Sequence, residues 1–336
     1  MGSRGNLPFP IPNSLLPFFG GANLVWRSSE GFFPHVTRPM EPADREIVRQ
    51  IDRDAFERLR RNELPGRLSL RTAENIDAAF ERPYPGVVLE APRGQVVGYC
   101  FTHVWGSLGW LGTLGIAPVR QGIGLGRPLV AAGLRLLEEA GCSALALETM
   151  PESGRNLALY TRLGLEPRRL TLLFEASPPA ARVTHWTIWR DESDDLRAVA
   201  SALVPGLDPT PAARWLLHEE SGDTLVWRDA AGEPVCFAVL RHAPRRQGSL
   251  QAYLTVEAAA CLPRVADEWP RFLAEMQAYA EGRGRAGLVL PVNADQTALL
   301  GSALDAGMRI VQTRVRMVRG GALGGPDDLL MLTLAM

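Results

Sequence analysis

The segment QGIGLG, residues 121–126, has the residue types that bind phosphate through the backbone. Glycines at positions 122, 124 and 126 alternate with other residues, and an apolar helical pattern begins directly after them. Backbone N–H groups in such a loop point outward, and the helix start adds partial positive charge, so phosphate oxygens can bind there. A tight turn without a ligand would also use glycine, because glycine adopts positive φ at little cost.

A dinucleotide site is one phosphate-binding interpretation of this loop. It would combine GIGLG and the following helix with Glu148, about 20 residues on, which would hold a ribose. That fingerprint needs a glycine at position 127, where the sequence has Arg127, and PVRQ separates the loop from the preceding strand. The spacing therefore disfavours a dinucleotide.

Regular elements on both sides would hold the loop in place. The apolar pattern predicts strands at 109–118, 143–150 and 170–176 and helices at 126–140 and 156–164. Glycines at 109, 112 and 115 inside a strand indicate a bulge or the close approach of another backbone. Upstream, the pattern predicts a strand at 35–40, a helix at 41–59 and a hairpin over 86–105.

The 336-residue chain has the composition of a soluble globular protein, and its length favours two domains. A formal net charge of −1 gives no general attraction for nucleic acid or anionic lipid. All 36 basic residues are arginine, which excludes lysine-based covalent catalysis. No apolar run reaches the length of a membrane span, and residues 1–34 lack the continuous apolar region of a signal peptide. We therefore expect a cytoplasmic protein with an N-terminal arm.

The four cysteines, at positions 100, 142, 236 and 261, form no CxxC pair. The five histidines form no cluster with metal-ligand spacing. We expect buried, reduced thiols and no metal site.

The pattern of the first half recurs in the second half. GEPVCFAVLRH at 232–242 aligns with GQVVGYCFTH at 94–103, and LTVEA at 254–258 aligns with LGIAP at 114–118. GLVLPV at 287–292 aligns with ALALET at 144–149, and ALDAGMR at 303–309 aligns with YTRLGLE at 160–166. These matches predict a tandem duplication. Its parts are an arm at 1–34, a first unit at 35–176, a linker at 177–183 and a second unit at 184–336.

Two motifs, in the same order, resemble signatures of the GNAT-type N-acetyltransferase superfamily. Residues 121–126 match its Q/R-x-x-G-x-G/A signature, and Leu129 follows where the family has an apolar helix residue. RNLALYTRLGLEP at 155–167 resembles the second signature, in which Asn precedes an apolar helix with Leu-Tyr. The resemblance spans about residues 35–176. It implies an α+β fold, with a mixed, mostly antiparallel sheet flanked by helices (the acyl-CoA N-acyltransferase fold), here in two tandem copies.

The resemblance also implies that acetyl-CoA binds as a co-substrate between two splayed parallel strands, here 109–117 and 143–150. Its pyrophosphate would bind the backbone of residues 121–126. Its pantetheine arm would pair with Leu114 and Ile116, which would account for the glycines in that strand. The implied cofactor-binding residues are Leu114, Gly115, Ile116, Gln121, Gly122, Ile123, Gly124, Leu125, Gly126, Arg127 and Asn156.

Direct acetyl transfer needs a neutral amine, a polarised thioester carbonyl and a proton for the leaving thiolate. Tyr160 matches the thiol-protonating tyrosine of the family; a half-buried core tyrosine is the alternative. Glu148, on the strand face opposite its leucine neighbours, could accept the proton of the amine or bind a cationic substrate. It could equally be a solvated strand-end carboxylate. His103 could also act as the base, and Asp52 and Asp54 could line a substrate rim.

The second unit lacks both features. CLPRVADE at 261–268 corresponds to the loop and contains no glycine, and Ala303 aligns with Tyr160. We expect a degenerate copy that packs against the first unit and binds no CoA.

Together these expectations describe an acetyl-CoA-dependent N-acetyltransferase for a small primary amine or an amino-acid-like acceptor. A peptide N-terminus is the alternative acceptor. A non-catalytic acyl-CoA-binding sensor is the alternative function, because an intact loop would bind the cofactor in either case. We expect no nucleic-acid or membrane partner, and a monomer or homodimer.

Overall fold

A computed structural model describes residues 35–62, 73–82, 84–176, 185–242, 253–321, 323 and 329–332. The predicted arm at 1–34 and the predicted linker at 177–183 lie outside these residues. No helix in the described ranges is both long and apolar enough to cross a membrane.

The first half of the chain contains the strands and helices predicted around the glycine loop. Its strands are β1 (Val36–Pro39), β2 (Gly86–Ala91), β3 (Gln95–Trp105), β4 (Leu108–Ile116), β5 (Ala144–Thr149) and β6 (Glu166–Ala176). Its helices are α1 (Arg45–Asn62), α2 (Ala73–Phe80), α3 (Gly126–Glu139) and α4 (Gly154–Thr161). The sequence pattern did not predict α2.

The second half repeats this order of elements and adds one strand at the end. Its strands are β7 (Trp186–Ile188), β8 (Gly222–Arg228), β9 (Pro234–His242), β10 (Tyr253–Cys261), β11 (Gly287–Asn293), β12 (Arg309–Gly320) and β13 (Leu329–Leu332). Its helices are α5 (Asp195–Leu203), α6 (Thr210–His218), α7 (Trp269–Gly282) and α8 (Thr297–Asp305). The predicted fold class, with two tandem copies, is confirmed.

The described strands form one sheet in which the two units exchange their last strands. The order is β1-β2-β3-β4-β5-β12-β6-β11-β10-β9-β8-β7, and β13 pairs with β10. Strand β12 of the second unit lies between β5 and β6, and β6 of the first unit lies between β12 and β11. Neither unit therefore has a continuous sheet without a strand from the other.

Equivalent helix ends align the two units residue by residue. After α4, the N–H of Leu165 donates to Tyr160 O at 3.1 Å; after α8, the N–H of Met308 donates to Ala303 O at 3.0 Å. The structure thus places Ala303 where the first unit has Tyr160.

One of the four sequence alignments is wrong. Strand β4 pairs with β5 from Leu108, and β10 pairs with β11 from Tyr253, so Leu254 corresponds to Gly109 and not to Leu114. A short apolar strand with few identities aligns almost equally well in several registers, and only the pairing of strands decides between them.

Helices cover both faces of the sheet. On the α3 face, Leu129 and Leu137 of α3 pack against Leu145 and Leu147 of β5. The opposite face carries α1 and α2 at its edge. Towards the middle, side chains such as Trp110 share a core there with side chains of the second unit. We call this second region the junction face, because both units bury apolar surface in it.

Two cysteines do not have the predicted reduced state. Cys236 and Cys261 are direct cross-strand neighbours on β9 and β10, and they form a disulfide with Cα atoms 4.1 Å apart. Cys100 and Cys142 are free and buried, as expected. The 25-residue separation of the bonded pair has no characteristic spacing, because strand register brings the two residues together.

Candidate active site

Strands β4 and β5 are parallel but pair over only three residues, from Leu108–Ala144 to Trp110–Ala146. Beyond Trp110 they separate, and β5 continues to pair with β12 on its other edge. Residues 111–116 of β4 remain paired with β3, and no strand of the described ranges pairs with their other edge. We call the space between this edge and β5 the slot. An extended ligand can add to such an edge as a further strand.

Backbone groups of Leu114 and Ile116 point into the slot. The N–H of Ala117 donates to Val97 O on β3 at 2.9 Å, and successive residues direct their backbone groups to alternate edges. The N–H and C=O groups of Leu114 and Ile116 therefore point away from β3. The Gln121 side chain donates to Ile116 O at 2.9 Å, which ties the glycine loop to the end of the slot.

The loop has the left-handed conformation that glycine favours, with φ of 86° at Gly122 and 89° at Gly124. A Cβ at either position would meet nothing within 4 Å, so the conformation, and not crowding, requires glycine. No hydrogen bond within the described ranges uses the N–H groups of residues 122–126, and α3 begins at Gly126. These N–H groups and the helix N-terminus together can bind an anion.

The remaining predicted cofactor residues surround this loop. Ile123 and Arg127 are exposed, whereas Leu125 is buried and anchors the loop to the core below α3. Asn156, in the first turn of α4, donates to Thr149 Oγ1 at 3.4 Å at the end of β5. The residues of the predicted cofactor set thus lie around one slot and its loop.

The predicted reason for the glycines in β4 was the close approach of a cofactor. For two of them the structure gives another reason, contact with side chains of the neighbouring strand. A Cβ at Gly112 would lie 2.7 Å from His103 Nε2, and a Cβ at Gly115 would lie 2.7 Å from the ring of Tyr99. Side chains of β3 therefore exclude a larger residue at these positions. Approach of a cofactor is not needed to explain them.

Tyr160 is buried in α4 among side chains of the α3 face. Leu159 Cδ2 lies 3.3 Å from the position of a Cβ at Gly126, so α4 packs against the end of the glycine loop. No described residue forms a hydrogen bond with the Tyr160 hydroxyl. Burial, and then the nearby Cys100, raise the pKa of Tyr160, so the hydroxyl keeps its proton at neutral pH and can serve as an acid.

Glu148 lies in an environment that opposes proton uptake. Its buried carboxylate accepts hydrogen bonds from Thr171 at 2.7 Å and from Arg316 at 2.8 Å, and it lies 3.5 Å from Arg314 Nη1. Burial alone would raise the pKa of Glu148, but the two arginines and Thr171 lower it below its ordinary value. The alternative of a solvated carboxylate is therefore wrong, and these ion pairs disfavour the predicted role as proton acceptor.

His103 lies on the face of β3 away from α3. Arg82 Nη1 can only donate, so His103 Nδ1 accepts, and the proton of the neutral ring is on Nε2, beside Gly112. Burial and the cations Arg82 and Arg241 hold the pKa of His103 well below its ordinary value. A ring that resists protonation is a weak general base.

The two aspartates predicted at a substrate rim have different environments. Asp52 is buried on α1 and accepts a hydrogen bond from the hydroxyl of Tyr99, whose ring contacts Gly115 of β4. Asp54 is exposed and accepts a hydrogen bond from Gln50 at 2.9 Å. Asp52 is thus linked to β4 through Tyr99.

Sequence reasoning missed the arginines around Glu148. Arg314 and Arg316 come from β12, which is far away in sequence and adjacent in the sheet. A usable signal exists, because two arginines at alternate positions of QTRVRMV must lie on one face of a strand with apolar neighbours. Nothing in the sequence identifies the carboxylate that they meet.

The equivalent gap in the second unit is filled by the chain itself. Strand β10 pairs with β11 only from Tyr253 to Thr255, and its following residues, Ala258–Cys261, pair with β13. The next segment, Pro263–Glu268, is a short 3-10 helix without glycine. Among its described residues, the second unit therefore has neither an open slot nor a glycine loop.

Residues 46–165 match the family model described as the acetyltransferase (GNAT) family. The chain is similar to the mycothiol acetyltransferase of Amycolatopsis mediterranei, with 34% identity over 105 residues. That alignment covers 28% of this chain and 35% of the relative, so the matched segment spans about a third of the relative's length.

Two solved structures share the fold over most of the chain. A putative acetyltransferase from Pyrococcus horikoshii has a TM-score of 0.67 at 16% identity, covering 94% of this chain and 98% of that chain. A tandem GNAT protein from the clavulanic acid biosynthesis pathway has a TM-score of 0.53 at 14% identity, covering 87% of this chain and 100% of that chain. At these identities the likeness concerns the fold alone.

Proposed function

Because residues 46–165 belong to the acetyltransferase (GNAT) family, we propose that this chain transfers the acetyl group of acetyl-CoA to the primary amine of a small molecule. The observation that carries the proposal is the slot beside β4, which ends at a glycine loop and a helix N-terminus. An extended arm that carries a pyrophosphate matches this combination of strand edge and anion site. The mycothiol acetyltransferase relative supports the same chemistry.

The chain's own residues suit acetyl-CoA binding without a metal. The N–H groups of residues 122–126 would hold the pyrophosphate, with exposed Arg127 beside them. The backbone of Leu114 and Ile116 would pair with the amides of the pantetheine arm. Bound acetyl-CoA supplies the acetyl group as an activated thioester.

Tyr160 is the acid of the proposal. Its hydroxyl is protonated and makes no hydrogen bond to a described residue, so it can donate to a leaving thiolate, whose ordinary pKa is about 8.5 by analogy with Cys. A backbone N–H on the slot edge of β4 would polarise the carbonyl. We assign Glu148 a positioning role: it fixes the β12 arginines beside β5 and does not accept the proton of the amine.

In this proposal only the first unit binds acetyl-CoA. In the second unit β13 already pairs with the strand edge that would receive a pantetheine arm, and Ala303 replaces the acid. We therefore propose one acetyl-CoA site per chain.

The test measures acetyl-CoA binding by calorimetry and release of CoA thiol with a panel of amines, amino acids and short peptides. Tyr160→Phe should bind acetyl-CoA normally and lose turnover. Gly124→Glu should lose binding, because a carboxylate and a strained backbone would replace the anion site. Gly232→Glu is the matched control, since Gly232 has φ of 85° and nothing within 4 Å of a Cβ. Equal binding by the two glutamate variants would overturn the proposed site, and binding without turnover of any acceptor would favour a sensor.

A further inference from the structure

The outer end of the slot carries exposed side chains to which the proposed function gives no role. Strands β4 and β5 are parallel, so the segments that follow them, which lead into α3 and α4, lie at the same end of the sheet. The first segment supplies Val119, Arg120 and Ile123, and the first turn of α4 supplies Arg155. All four side chains are exposed. We call these four residues the mouth patch.

The two arginines of the mouth patch lack the counter-ions that other exposed arginines have. Arg214 and Arg264, for example, pair with carboxylates elsewhere on the surface. In the described ranges no residue forms an ion pair or a hydrogen bond with the guanidinium group of Arg120 or Arg155, and exposed Glu152, three residues before Arg155, pairs with neither. An anion from outside the chain can therefore bind these groups without displacing a described partner.

The mouth patch also exposes apolar surface. It contains two of the six large apolar side chains that are exposed in the described part of the chain. Val119 is 90% exposed, the highest value among the six, and Ile123 is 51% exposed. They lie on either side of Gly122, whose positive φ turns the chain between them. Exposed apolar surface beside charged groups is typical of a binding site, because contact with a ligand removes it from water.

Acetyl-CoA has one end for which the slot and the glycine loop provide no place. In the proposed function the slot holds the pantetheine arm and the glycine loop holds the pyrophosphate. The adenosine 3′-phosphate then extends beyond the loop. It combines a flat heterocycle, which can contact apolar side chains, with a phosphate, which guanidinium groups bind. This end of the donor therefore has the same two chemical characters as the mouth patch.

We propose that the mouth patch binds the adenosine 3′-phosphate end of the donor. Arg120 and Arg155 attract the 3′-phosphate, and Val119 and Ile123 contact the adenine ring. This inference rests on the proposed function, which places acetyl-CoA in the slot, and it makes the chain selective for CoA thioesters. A thioester on a pantetheine arm without adenosine, free or attached to a carrier protein, would fill the slot but make no contact with the mouth patch.

The experiment compares acetyl-CoA with acetyl-dephospho-CoA, which differs only in lacking the 3′-phosphate. Calorimetry without an acceptor measures the affinity of both donors for wild type, Arg120→Gln and Arg155→Gln. Arg190→Gln is the matched control. Arg190 is exposed and has no partner within the described ranges, but it follows β7 at the far edge of the sheet. Arg127 is left unchanged, because the proposed function places it beside the pyrophosphate.

We expect wild type and Arg190→Gln to bind acetyl-CoA about 3- to 10-fold more tightly than acetyl-dephospho-CoA, since contacts between exposed charges are individually weak. This preference should fall towards one in Arg120→Gln and Arg155→Gln. It should also shrink as the salt concentration rises, because salt screens exposed charges. The preference is a ratio between two donors on the same protein, so general damage to the slot cancels.

Serine variants test the apolar part of the mouth patch. Ile123→Ser and Val119→Ser remove contacts with adenine, which both donors carry, so each variant should weaken the two donors by the same factor. Acetyl-4′-phosphopantetheine, which lacks adenosine, should bind equally to wild type and to both variants. This third donor separates a lost adenine contact from a distorted loop. Circular dichroism checks that the variants are folded.

The outcomes separate this inference from the proposed function. Equal affinity of wild type for the two CoA donors, or a preference unchanged in both arginine variants, would overturn the role of the mouth patch and leave acetyl transfer intact. Tighter binding of acetyl-4′-phosphopantetheine than of acetyl-CoA would do the same. A preference that the arginine variants abolish, without acetylation of any amine, would support the mouth patch and overturn the proposed transfer. Failure of wild type to bind acetyl-CoA would overturn both.

Discussion

Replacing Glu148 by Gln separates its two possible roles, structural counter-ion and general base. The carboxylate is almost fully buried, and it accepts hydrogen bonds from Thr171 and Arg316 while facing Arg314. Glutamine keeps the shape and one acceptor oxygen but removes the negative charge. The guanidinium groups of β12 would then be buried without their principal neutralising partner.

The structure implies a large loss of stability. Breaking a buried ion pair by removing one partner costs about 3–5 kcal/mol, whereas an exposed pair contributes about 0–1 kcal/mol. Glu138→Gln is the matched control, because Glu138 pairs with Arg319 of the same strand, β12, but its side chain is 49% exposed. We expect Glu148→Gln to lower the free energy of unfolding by about 3 kcal/mol or more. Glu138→Gln should lower it by less than about 1 kcal/mol.

Denaturant unfolding followed by tryptophan fluorescence measures both variants, and acetyl-CoA turnover is measured below the transition. The pKa of Glu148 is lower in the folded state, so its contribution is complete above its unfolded pKa of about 4.3 and is lost as pH falls through the folded value. Wild type should therefore lose this stability on acidification, and the difference from Glu148→Gln should shrink. If Glu148→Gln instead unfolds like Glu138→Gln while kcat collapses, Glu148 is the base and our assignment is wrong.

Three further predictions follow from single features. Gly124→Ala should weaken acetyl-CoA binding in calorimetry more than Gly232→Ala does. Both variants should lose about 1 kcal/mol of stability, because alanine is strained at the positive φ of either position. Equal acetyl-CoA binding by the two variants would contradict the assignment of the loop as the cofactor site. Tyr160→Phe should lower kcat about 100-fold or more without changing acetyl-CoA affinity, and the wild-type rate should show no loss from tyrosine ionisation up to about pH 10. Truncation after residue 328 removes the partner of Ala258–Cys261, so the denaturation midpoint should fall without a second acetyl-CoA site appearing in calorimetry.

Local features of this protein could be predicted from the sequence because their causes lie within a few residues. The glycine loop follows from the positive φ that Gly122 and Gly124 adopt, and α3 begins where the apolar helical pattern begins. The repeated order of strands and helices predicted the duplication. Gln121, Leu114 and Ile116 could be placed at one slot because the loop directly follows its strand.

The tertiary structure alone decided how distant segments meet. Exchange of β6 and β12 places Arg316 against Glu148, so this candidate base is buried in an ion pair. Pairing of β13 with β10 fills the second slot, and cross-strand register joins Cys236 to Cys261. Such contacts depend on which strand edges pair and in which register. Strand pairing and register depend on interactions across the whole sheet and its shared core, so no local sequence pattern predicts them.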